Sequence, residues 1–424
     1  MKKTLITNIG RLTGIVPEGI LRKEGKEMGK VESLEDAWLL INGEEIEAFG
    51  QGDPDTEKIP GLKEHKGVLD AGGGTVMPSF CDSHSHIVYA GSRYGEFIDK
   101  INGLTYEQIA ARGGGILNSA DLLHETSEEE LFRQSLERAK EVMAMGTGSL
   151  EIKSGYGLNT EDELKMLRVI RRLKATLPLE IRATFLGAHA VGRAYTGRQG
   201  EYVDMVCREM LPAVAAEGLA DFVDVFCDSG FFTPEETMQI LDAAQVYGLR
   251  GKIHANELAV SGGVQAGVSR GALSVDHLER TTEAEINALK NTGTMPVMLP
   301  GASFFSRLPY GEAREFIRSG LGIALASDYN PGSSPGGDMR FVMALGCIQM
   351  RLTPEEAFNA CTLNGAYAMG ISDKTGSITP GKLANLIITK PVPDLAFIPY
   401  SHHTPFISRL ILKGKELCFP GWPQ

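Results

Sequence analysis

Short apolar runs alternate with longer amphipathic stretches between residues 75 and 326. The apolar runs predict buried strands, and the amphipathic stretches between them predict helices. The strand candidates are Thr75–Phe80, Gly148–Lys153, Ile181–Leu186, Phe222–Phe226, Gly251–His254, Leu273–Asp276, Met295–Leu299 and Gly322–Ala326. Strand–helix units repeated in this way predict an α/β fold, a (β/α)8 TIM-type barrel. A doubly wound open sheet is the alternative, but no Gly-x-Gly-x-x-Gly follows the first strand.

Several predicted helices begin with N-cap chemistry. The capping-box spacing occurs in Ser127 with Glu130, Thr160 with Glu163, and Thr282 with Glu285. Thr233-Pro234 and Thr353-Pro354 also place proline at the first helical position, where the missing N–H costs no hydrogen bond. These patterns favour helices between the strands.

The two ends of the chain differ from the middle. Short strands are predicted at Leu5–Ile9 and Ala37–Ile41, the second followed by an Asn42-Gly43 hairpin turn. Near the other end, Ala384–Thr389 and Ile407–Leu412 also have strand character. We therefore predict a small β-sandwich domain built from residues 1–74 and 375–424, with the barrel spanning residues 75–374.

Composition excludes several functional classes. The formal net charge of -12 over 424 residues disfavours a nucleic-acid partner. No signal peptide or membrane span is predicted. The six cysteines are scattered without a Cys-x-x-Cys pair, which favours reduced thiols and a cytoplasmic protein. Analogy with other barrel enzymes favours a homodimer.

Histidine and aspartate residues recur at the ends of the predicted strands. They are His84, His86, His189, His254, Asp276, His277 and Asp328. A barrel collects the carboxyl ends of its strands at one face, where active sites lie. His84 and His86 are two residues apart, so in an extended segment both imidazoles project to the same side. The pattern predicts a polar site at that face.

The chemistry of these side chains favours a metal-dependent hydrolase. His84, His86, His254 and Asp328 supply three imidazoles and a carboxylate, a ligand set that leaves room for a water. A divalent metal lowers the pKa of such a water from about 15.7 to roughly 7. We expect Asp328 to accept the proton of the water, His277 to orient it, and Glu257 to pass a proton to the substrate nitrogen.

Seven segments carry a more specific signal than the His-x-His pair. They are Asp82–His86, Gly91–Arg93, Glu151–Leu158, Phe185–His189, His254–Glu257, Leu299–Ala302 and Ser327–Ser333. In these segments the chain resembles the amidohydrolase superfamily, most closely the branch that opens an imidazolone ring in histidine breakdown. The resemblance covers nearly the whole chain.

The resemblance implies a cofactor, a substrate and a set of contacts. One zinc or iron ion is implied on His84, His86, His254 and Asp328, with substrate contacts from Arg93, Tyr156, His189 and Glu257 and product contacts from Asn330, Gly332 and Ser333. The implied substrate is the small molecule 4-imidazolone-5-propanoate, hydrolysed to N-formimidoyl-L-glutamate. Its carboxylate tail suits the planar donors of Arg93. A single metal is expected because binuclear members carry a bridging lysine on the fourth strand, whereas Phe222–Asp228 has none.

Two other functions remain open at this point. Another mononuclear amidohydrolase, such as a cytosine- or guanine-type deaminase, shares the same metal set. Arg93, Tyr156 and His189 suit a carboxylate-bearing imidazolone better than a neutral base. The second alternative is a non-catalytic amidohydrolase-like assembly protein; such proteins typically lose metal ligands, and this chain retains all four.

Overall fold

The structure, a computed structural model, describes residues 3–54, 67–104, 108–109, 112, 114–417 and 419. Its strands are β1 (Lys3–Ile15), β2 (Glu32–Asn42), β3 (Glu45–Gln51), β4 (Val68–Asp70), β5 (Thr75–Pro78), β6 (Phe80–Asp82), β7 (Thr147–Lys153), β8 (Glu180–Ala188), β9 (Phe222–Cys227), β10 (Arg250–Ala255), β11 (Ser274–His277), β12 (Met295–Met298), β13 (Ala324–Leu325), β14 (Leu386–Thr389), β15 (Ile407–Leu412) and β16 (Lys415–Leu417).

The helices lie mainly between the strands of the central region. They are α1 (Tyr94–Ile101), α2 (Ile116–Glu125), α3 (Glu128–Ala144), α4 (Thr160–Thr176), α5 (Gln199–Met205), α6 (Leu211–Glu217), α7 (Pro234–Gln245), α8 (Gly263–Ser269), α9 (Glu283–Leu289), α10 (Pro300–Ser306), α11 (Ala313–Arg318), α12 (Met339–Met350), α13 (Pro354–Cys361), α14 (Leu363–Ala368) and α15 (Phe397–Tyr400). A π-helical segment, Val206–Met210, joins α5 to α6, and 3₁₀ turns occupy Gly25–Gly29 and Arg193–Tyr195.

Strands β6 to β13 form one parallel sheet in chain order. An isolated parallel bridge joins Ser85, just after β6, to Tyr329, just after β13. The first and last strands therefore meet, which closes the sheet into a barrel. The prediction of a (β/α)8 barrel is confirmed, and the carboxyl ends of all eight strands lie on one face.

One predicted strand is wrong. Thr75–Phe80 is not a single barrel strand, because β5 pairs with β1 and β14 in a second sheet whereas β6 pairs with β7 in the barrel. The change of sheet occurs at Ser79, whose N–H donates to Asn385 O (2.9 Å), while Phe80 N–H donates to Gly146 O (3.0 Å). An uninterrupted buried run gives no local sign that the chain passes from one sheet to another.

The second sheet joins both ends of the chain. Its strand order is β16-β15-β14-β5-β1-β2-β3, with β4 paired to β1. The predicted β-sandwich domain is confirmed as a separate β unit of the two terminal segments, and this unit is one mixed sheet. Ile6, Leu12, Leu39, Val76 and Leu386 belong to a hydrophobic cluster separate from that of the barrel. The limits proposed for the two domains stay a prediction.

Most predicted helix caps form. Thr233, Thr282 and Thr353 each complete a capping box, with Glu236, Glu285 and Glu356 respectively. Ser127 accepts a hydrogen bond from Glu130 N.

The cap predicted at Thr160 is wrong, because Asn159 caps α4 by accepting from Asp162 N (2.9 Å). Glu163 instead accepts hydrogen bonds from the N–H groups of Gly155, Gly157 and Leu158, so it holds the loop after β7 in place.

Further findings concern the predictions about membrane spans and cysteines. No helix among the described residues is long and apolar enough to cross a membrane. Every described cysteine is a free thiol: Cys81, Cys207, Cys227, Cys347 and Cys361. Cys418 lies outside the described residues.

Candidate active site

The histidine pair after β6 is fixed by backbone hydrogen bonds to its neighbours on both sides. Lys153 N–H donates to Ser85 O (2.8 Å) on one side, and Asp328 N–H donates to His84 O (2.9 Å) on the other. His86 N–H also donates to Tyr329 O (2.9 Å). The segment is thereby held extended across the barrel mouth, so both imidazoles point inward.

Four donor atoms converge at the centre of this face. His86 Nε2 lies 3.2 Å from His84 Nε2 and 3.4 Å from His254 Nε2. Asp328 Oδ1 lies 3.5 Å from His84 Nε2 and 3.4 Å from His86 Nε2. All four side chains are buried. Donors on a tetrahedron with bonds of about 2.0–2.1 Å are separated by roughly 3.3 Å, so the cluster has the dimensions of a metal site.

The protonation states suit the same interpretation. Burial, and then the charge of Lys153, holds the pKa of His84 well below its usual range. Burial, and then His189 and His254, does the same to the pKa of His86. A neutral imidazole keeps one nitrogen lone pair that can bind a metal. The donor set therefore fits a bound divalent metal.

Two aspartates to which the sequence assigned no role orient the ligands from behind. Asp276 Oδ2 lies 2.6 Å from His84 Nδ1, and Asp224 Oδ2 lies 2.9 Å from His254 Nδ1. A carboxylate on Nδ1 leaves the Nε2 lone pair free to face the metal. The sequence did contain a signal for such a residue, namely a charged residue inside an apolar strand. A carboxylate buried in this way needs a hydrogen-bonding or charged partner. Asp224 stands in Phe-Val-Asp-Val-Phe.

A buried ionic cluster lies beneath these aspartates. Lys153 Nζ is 2.8 Å from Asp224 Oδ2, 2.6 Å from Glu151 Oε1 and 3.6 Å from Asp276 Oδ2. Lys252 Nζ pairs with the second oxygen of Glu151. Burial opposes the charge on Lys153, but the carboxylates outweigh it and raise its pKa. Lys153 is thus occupied as an ammonium group and is not a lysine free to bridge two metals.

His277 lies between two carboxyl groups. Its Nε2 is 3.7 Å from Glu257 Oε2, and its Nδ1 is 3.4 Å from Glu279 Oε1. Burial lowers the pKa of His277, but Glu257 and Glu279 outweigh burial and hold it above the usual range. Burial raises the pKa of Glu257 to about 7 against the opposing charge of His277. Glu257 is therefore poised for proton transfer near neutral pH.

Backbone conformation explains how Glu279 reaches His277. His277 and Leu278 have φ values of 84° and 67°, both in the left-handed region. Consecutive residues in that region cost about 1–3 kcal/mol each, so the surrounding structure must enforce them. Arg280 N–H donates to Asn256 O (2.9 Å), which ties the reversed segment back to the end of β10.

His86, His254 and Asp328 line a cavity of about 470 Å³. Tyr156 and His189 form part of its wall, and the His189 ring stacks on His86 at 5.3 Å. His189 Nδ1 lies 3.0 Å from Gly155 O. Burial, and then His254, lowers the pKa of His189 to about 3, so the ring is neutral, donates through Nδ1 and presents Nε2 as an acceptor.

Arg93 occupies another part of the same wall. Its Nε lies 3.1 and 3.0 Å from the two carboxylate oxygens of Glu96. A Cβ on residue 332 would lie 2.1 Å from Arg93 Cζ, so only glycine permits the guanidinium to approach the backbone there. Arg93 and Gly332, predicted separately from the sequence, are therefore in direct contact.

Asn330 mainly organises its own loop. Its Oδ1 accepts from Gly332 N–H (2.8 Å) and Ser333 N–H (2.7 Å), and its Nδ2 donates to Asp328 O (2.7 Å). Ser333 Oγ lies 3.5 Å from Asp328 Oδ2. The loop brings the predicted product contacts beside the donor cluster, but the two N–H groups already have an acceptor.

Lys100 is a cavity residue that was not predicted from the sequence. Its Nζ donates to Gly332 O (2.6 Å) and lies 4.8 Å from the centre of the Phe305 ring. Lys100 in α1 follows Arg93, the residue just before that helix, by seven positions, which are about two helical turns and place both residues on one side of α1. That spacing was the available signal. Arg280 and Arg307 also line the cavity.

Comparison with known proteins agrees with this geometry. The Amidohydrolase family model matches residues 75–417. The chain is 52% identical to an imidazolonepropionase of Flavobacterium johnsoniae, over 97% of this chain and 99% of that protein. It is 39% identical to an imidazolonepropionase of Alkaliphilus metalliredigens, over 94% of each.

Solved structures share the fold at much lower identity. A triazine hydrolase variant has a TM-score of 0.76 at 15% identity, covering 100% of this chain and 96% of its own. Escherichia coli guanine deaminase has a TM-score of 0.75 at 14% identity, covering 99% of both chains. At 14–15% identity these similarities show the shared fold, which is the barrel with its terminal sheet, and they carry no information about the substrate.

Proposed function

The chain belongs to the amidohydrolase family, and we propose that it hydrolyses 4-imidazolone-5-propanoate to N-formimidoyl-L-glutamate, a step of histidine degradation. Within the family it groups with the imidazolonepropionases. One observation carries the proposal beyond the family. The same cavity contains a metal-type donor cluster and the cations Arg93 and Lys100, which suits a cyclic amide with a carboxylate tail.

We propose that His84, His86, His254 and Asp328 hold one zinc or iron ion. When bound, the ion acts as a Lewis acid and lowers the pKa of a water to roughly 7. Three imidazoles and a carboxylate accept either metal, so the donor set does not distinguish them. Elemental analysis of protein purified without added metal measures which ion is present and in what ratio to the chain.

The proposed reaction joins the water oxygen to the ring carbonyl carbon and breaks the adjacent C–N bond. Asp328 accepts a proton from the attacking water, and His277 orients that water. The carboxyl of Glu257 donates a proton to the departing nitrogen, which becomes the amidine nitrogen of the product. Its pKa of about 7 keeps a substantial protonated fraction at neutral pH.

Binding of the substrate is assigned to the cavity wall. The tail carboxylate pairs with the terminal nitrogens of Arg93, because its Nε is already engaged by Glu96. Tyr156 and His189 contact the ring beside His86. Asn330, Gly332 and Ser333 contact the product. These contacts would hold the ring carbonyl facing the donor cluster. Holding the reacting groups in this geometry lowers the entropic cost of the reaction.

The test is a spectrophotometric assay with purified, metal-replete protein. Substrate is generated in place from urocanate by a urocanase. The proposal expects faster loss of the imidazolone, appearance of N-formimidoyl-glutamate by mass spectrometry, and loss of both effects after chelation. If the substrate is not consumed faster while cytosine or guanine is deaminated, the protein is a deaminase. If no substrate is consumed although metal is bound, a non-catalytic role replaces the proposal.

Two further parts of the proposal concern the setting of the enzyme. We propose a cytoplasmic location, supported by the free thiols of the described cysteines. We propose a homodimer by analogy with other barrel enzymes. Light scattering coupled to size exclusion measures the mass, and a value near the chain mass of 45.8 kDa contradicts the dimer.

A further inference from the structure

The positive charge of Arg93 is already compensated. Glu96 contacts Arg93 Nε through both carboxylate oxygens, and the pair is almost fully buried. Glu96 Oε1 also accepts from Gly115 N–H (2.9 Å), which fixes the carboxylate in this position. A buried Arg–Glu pair has no net charge. Arg93 therefore offers directional donors to an anion but little net attraction.

Lys100 differs from Arg93 in this respect. Within the described part of the chain, no carboxylate oxygen lies within 4 Å of its Nζ, and its partners are the neutral Gly332 carbonyl and the Phe305 ring. Burial, and then the neighbouring charge of Arg93, lowers the pKa of Lys100 to about 8, so it remains mostly charged at pH 7. A partly buried cation without a counter-ion is costly, and an anion bound beside it recovers that cost.

Gly332 brings the two cations together. Its Cα approaches the Arg93 guanidinium so closely that a Cβ would lie 2.1 Å from Cζ. Its carbonyl oxygen accepts from Lys100 Nζ at 2.6 Å. Both cations line the cavity that contains His86, Glu257 and Asp328. A carboxylate placed against Gly332 would therefore meet Arg93 donors and the Lys100 ammonium at once.

We propose that Lys100 is a substrate-binding residue that selects an anionic tail by supplying the net positive charge that the Arg93–Glu96 pair lacks. This inference rests on the proposed function and deepens it. Arg93 fixes the direction of the tail, whereas Lys100 discriminates charged tails from neutral ones. The preferred substrates are thus cyclic amides with a monoanionic carboxylate side chain.

The test compares Lys100→Met with the unmodified enzyme on two freshly prepared substrates, the imidazolone acid and its methyl ester. Methionine keeps the length of the side chain and removes the charge. We expect KM for the acid to rise about 10- to 100-fold, as for loss of a charged hydrogen bond, with little change in kcat. KM for the ester should change less than about twofold, because the neutral tail gains little from the charge. Lys100→Arg should restore binding of the acid.

Two controls make the result specific. Lys140→Met removes an exposed lysine of α3 that lies outside the cavity lining, and it should leave both KM values unchanged. Metal content and thermal unfolding of Lys100→Met should match the unmodified enzyme. If Lys100→Met does not fold, Lys100→Gln serves the same comparison.

Two failures are distinguishable. If the unmodified enzyme does not consume the acid, the proposed function is wrong. If it does, and Lys100→Met loses equal activity on acid and ester, Lys100 only braces the Gly332 carbonyl and the inference is overturned.

Discussion

Asp328 occupies a backbone conformation that most residues avoid. Its φ of 53° lies in the left-handed region, as does that of His277, which lines the same cavity. Asp328 N–H donates to His84 O, so the strained residue is held directly beside a proposed metal ligand. Strain of this kind persists only where neighbouring contacts enforce it, and it concentrates at functional sites.

Replacing Asp328 with Ala should abolish turnover while the barrel remains folded. The change removes one metal donor and the proposed proton acceptor, and loss of a general base alone costs about 10²- to 10⁴-fold. The measurements are kcat and bound metal per chain, with circular dichroism as the check on folding. Asp328→Asn is the matched control, since asparagine tolerates the left-handed region, and it should be equally inactive. Normal turnover by either variant contradicts the assigned role.

Glu257 should set the alkaline limb of the pH profile. A pKa raised to about 7 means that the proton-donating form is present below this pH and is lost as the pH rises through it. Because this pKa is that of the free enzyme, we expect kcat/KM to fall above about pH 7. Glu257→Gln should be slower by about 10²- to 10⁴-fold and should lack this limb, because the amide does not titrate. Rate measurements from pH 5.5 to 9 test both statements. If Glu257→Gln still loses activity above pH 7, the titrating group is another residue.

At the level of single residues, most of the candidate site was predicted from the sequence. The predicted ligands His84, His86, His254 and Asp328 do converge, because strand ends of a barrel share one face. Asp224 and Lys100 were missed, and Asp276 was placed at the site without a role. A local pattern marks such residues as unusual, but each contacts a partner far along the chain, such as His84 for Asp276, and no local pattern identifies that partner.

The transition from β5 to β6 links the two sheets within a single residue. Ser79 is the switch, and it packs against Gly148 at the start of β7. A Cβ on Gly148 would lie 2.0 Å from Ser79 Oγ and 2.8 Å from a methyl of Leu412, which belongs to the terminal sheet. The absence of a side chain at residue 148 thus allows the barrel and the terminal sheet to meet.

Gly148→Ala should destabilise the protein by about 1–3 kcal/mol, the usual cost of overpacking a tight core position. The free energy of unfolding is measured by urea denaturation. Gly200→Ala is the matched control, because a Cβ there meets nothing within 4 Å and residue 200 lies in α5. That control should be neutral or more stable by up to about 1 kcal/mol. An equal response of the two variants would contradict the close packing at Ser79.

The charge of the whole molecule opposes that of its cavity. The chain carries a formal net charge of -12, yet Arg93, Lys100, Arg280 and Arg307 line the cavity together with Glu257 and Asp328. At physiological salt, charges farther apart than about 8 Å are largely screened. The local cations, and not the net charge, should therefore govern the approach of an anionic substrate.

Raising the ionic strength should accordingly increase KM for the acid substrate several-fold with little change in kcat. The measurement is a series of initial rates from 20 to 500 mM salt. The methyl ester is the control and should show little dependence on salt. A decrease in KM for the acid would show that repulsion by the overall negative charge dominates.

The order of strands and helices, the barrel and the positions of the metal-type donors could all be predicted from the amino-acid sequence. These features depend on local periodicity and on the fixed relation between a strand and the residue after it. Tertiary structure alone decided that Thr75–Phe80 serves two sheets, that Lys153 and Lys252 neutralise buried carboxylates, and that Lys100 reaches Gly332. Those contacts join residues far apart along the chain, and only packing of the whole fold brings such residues together.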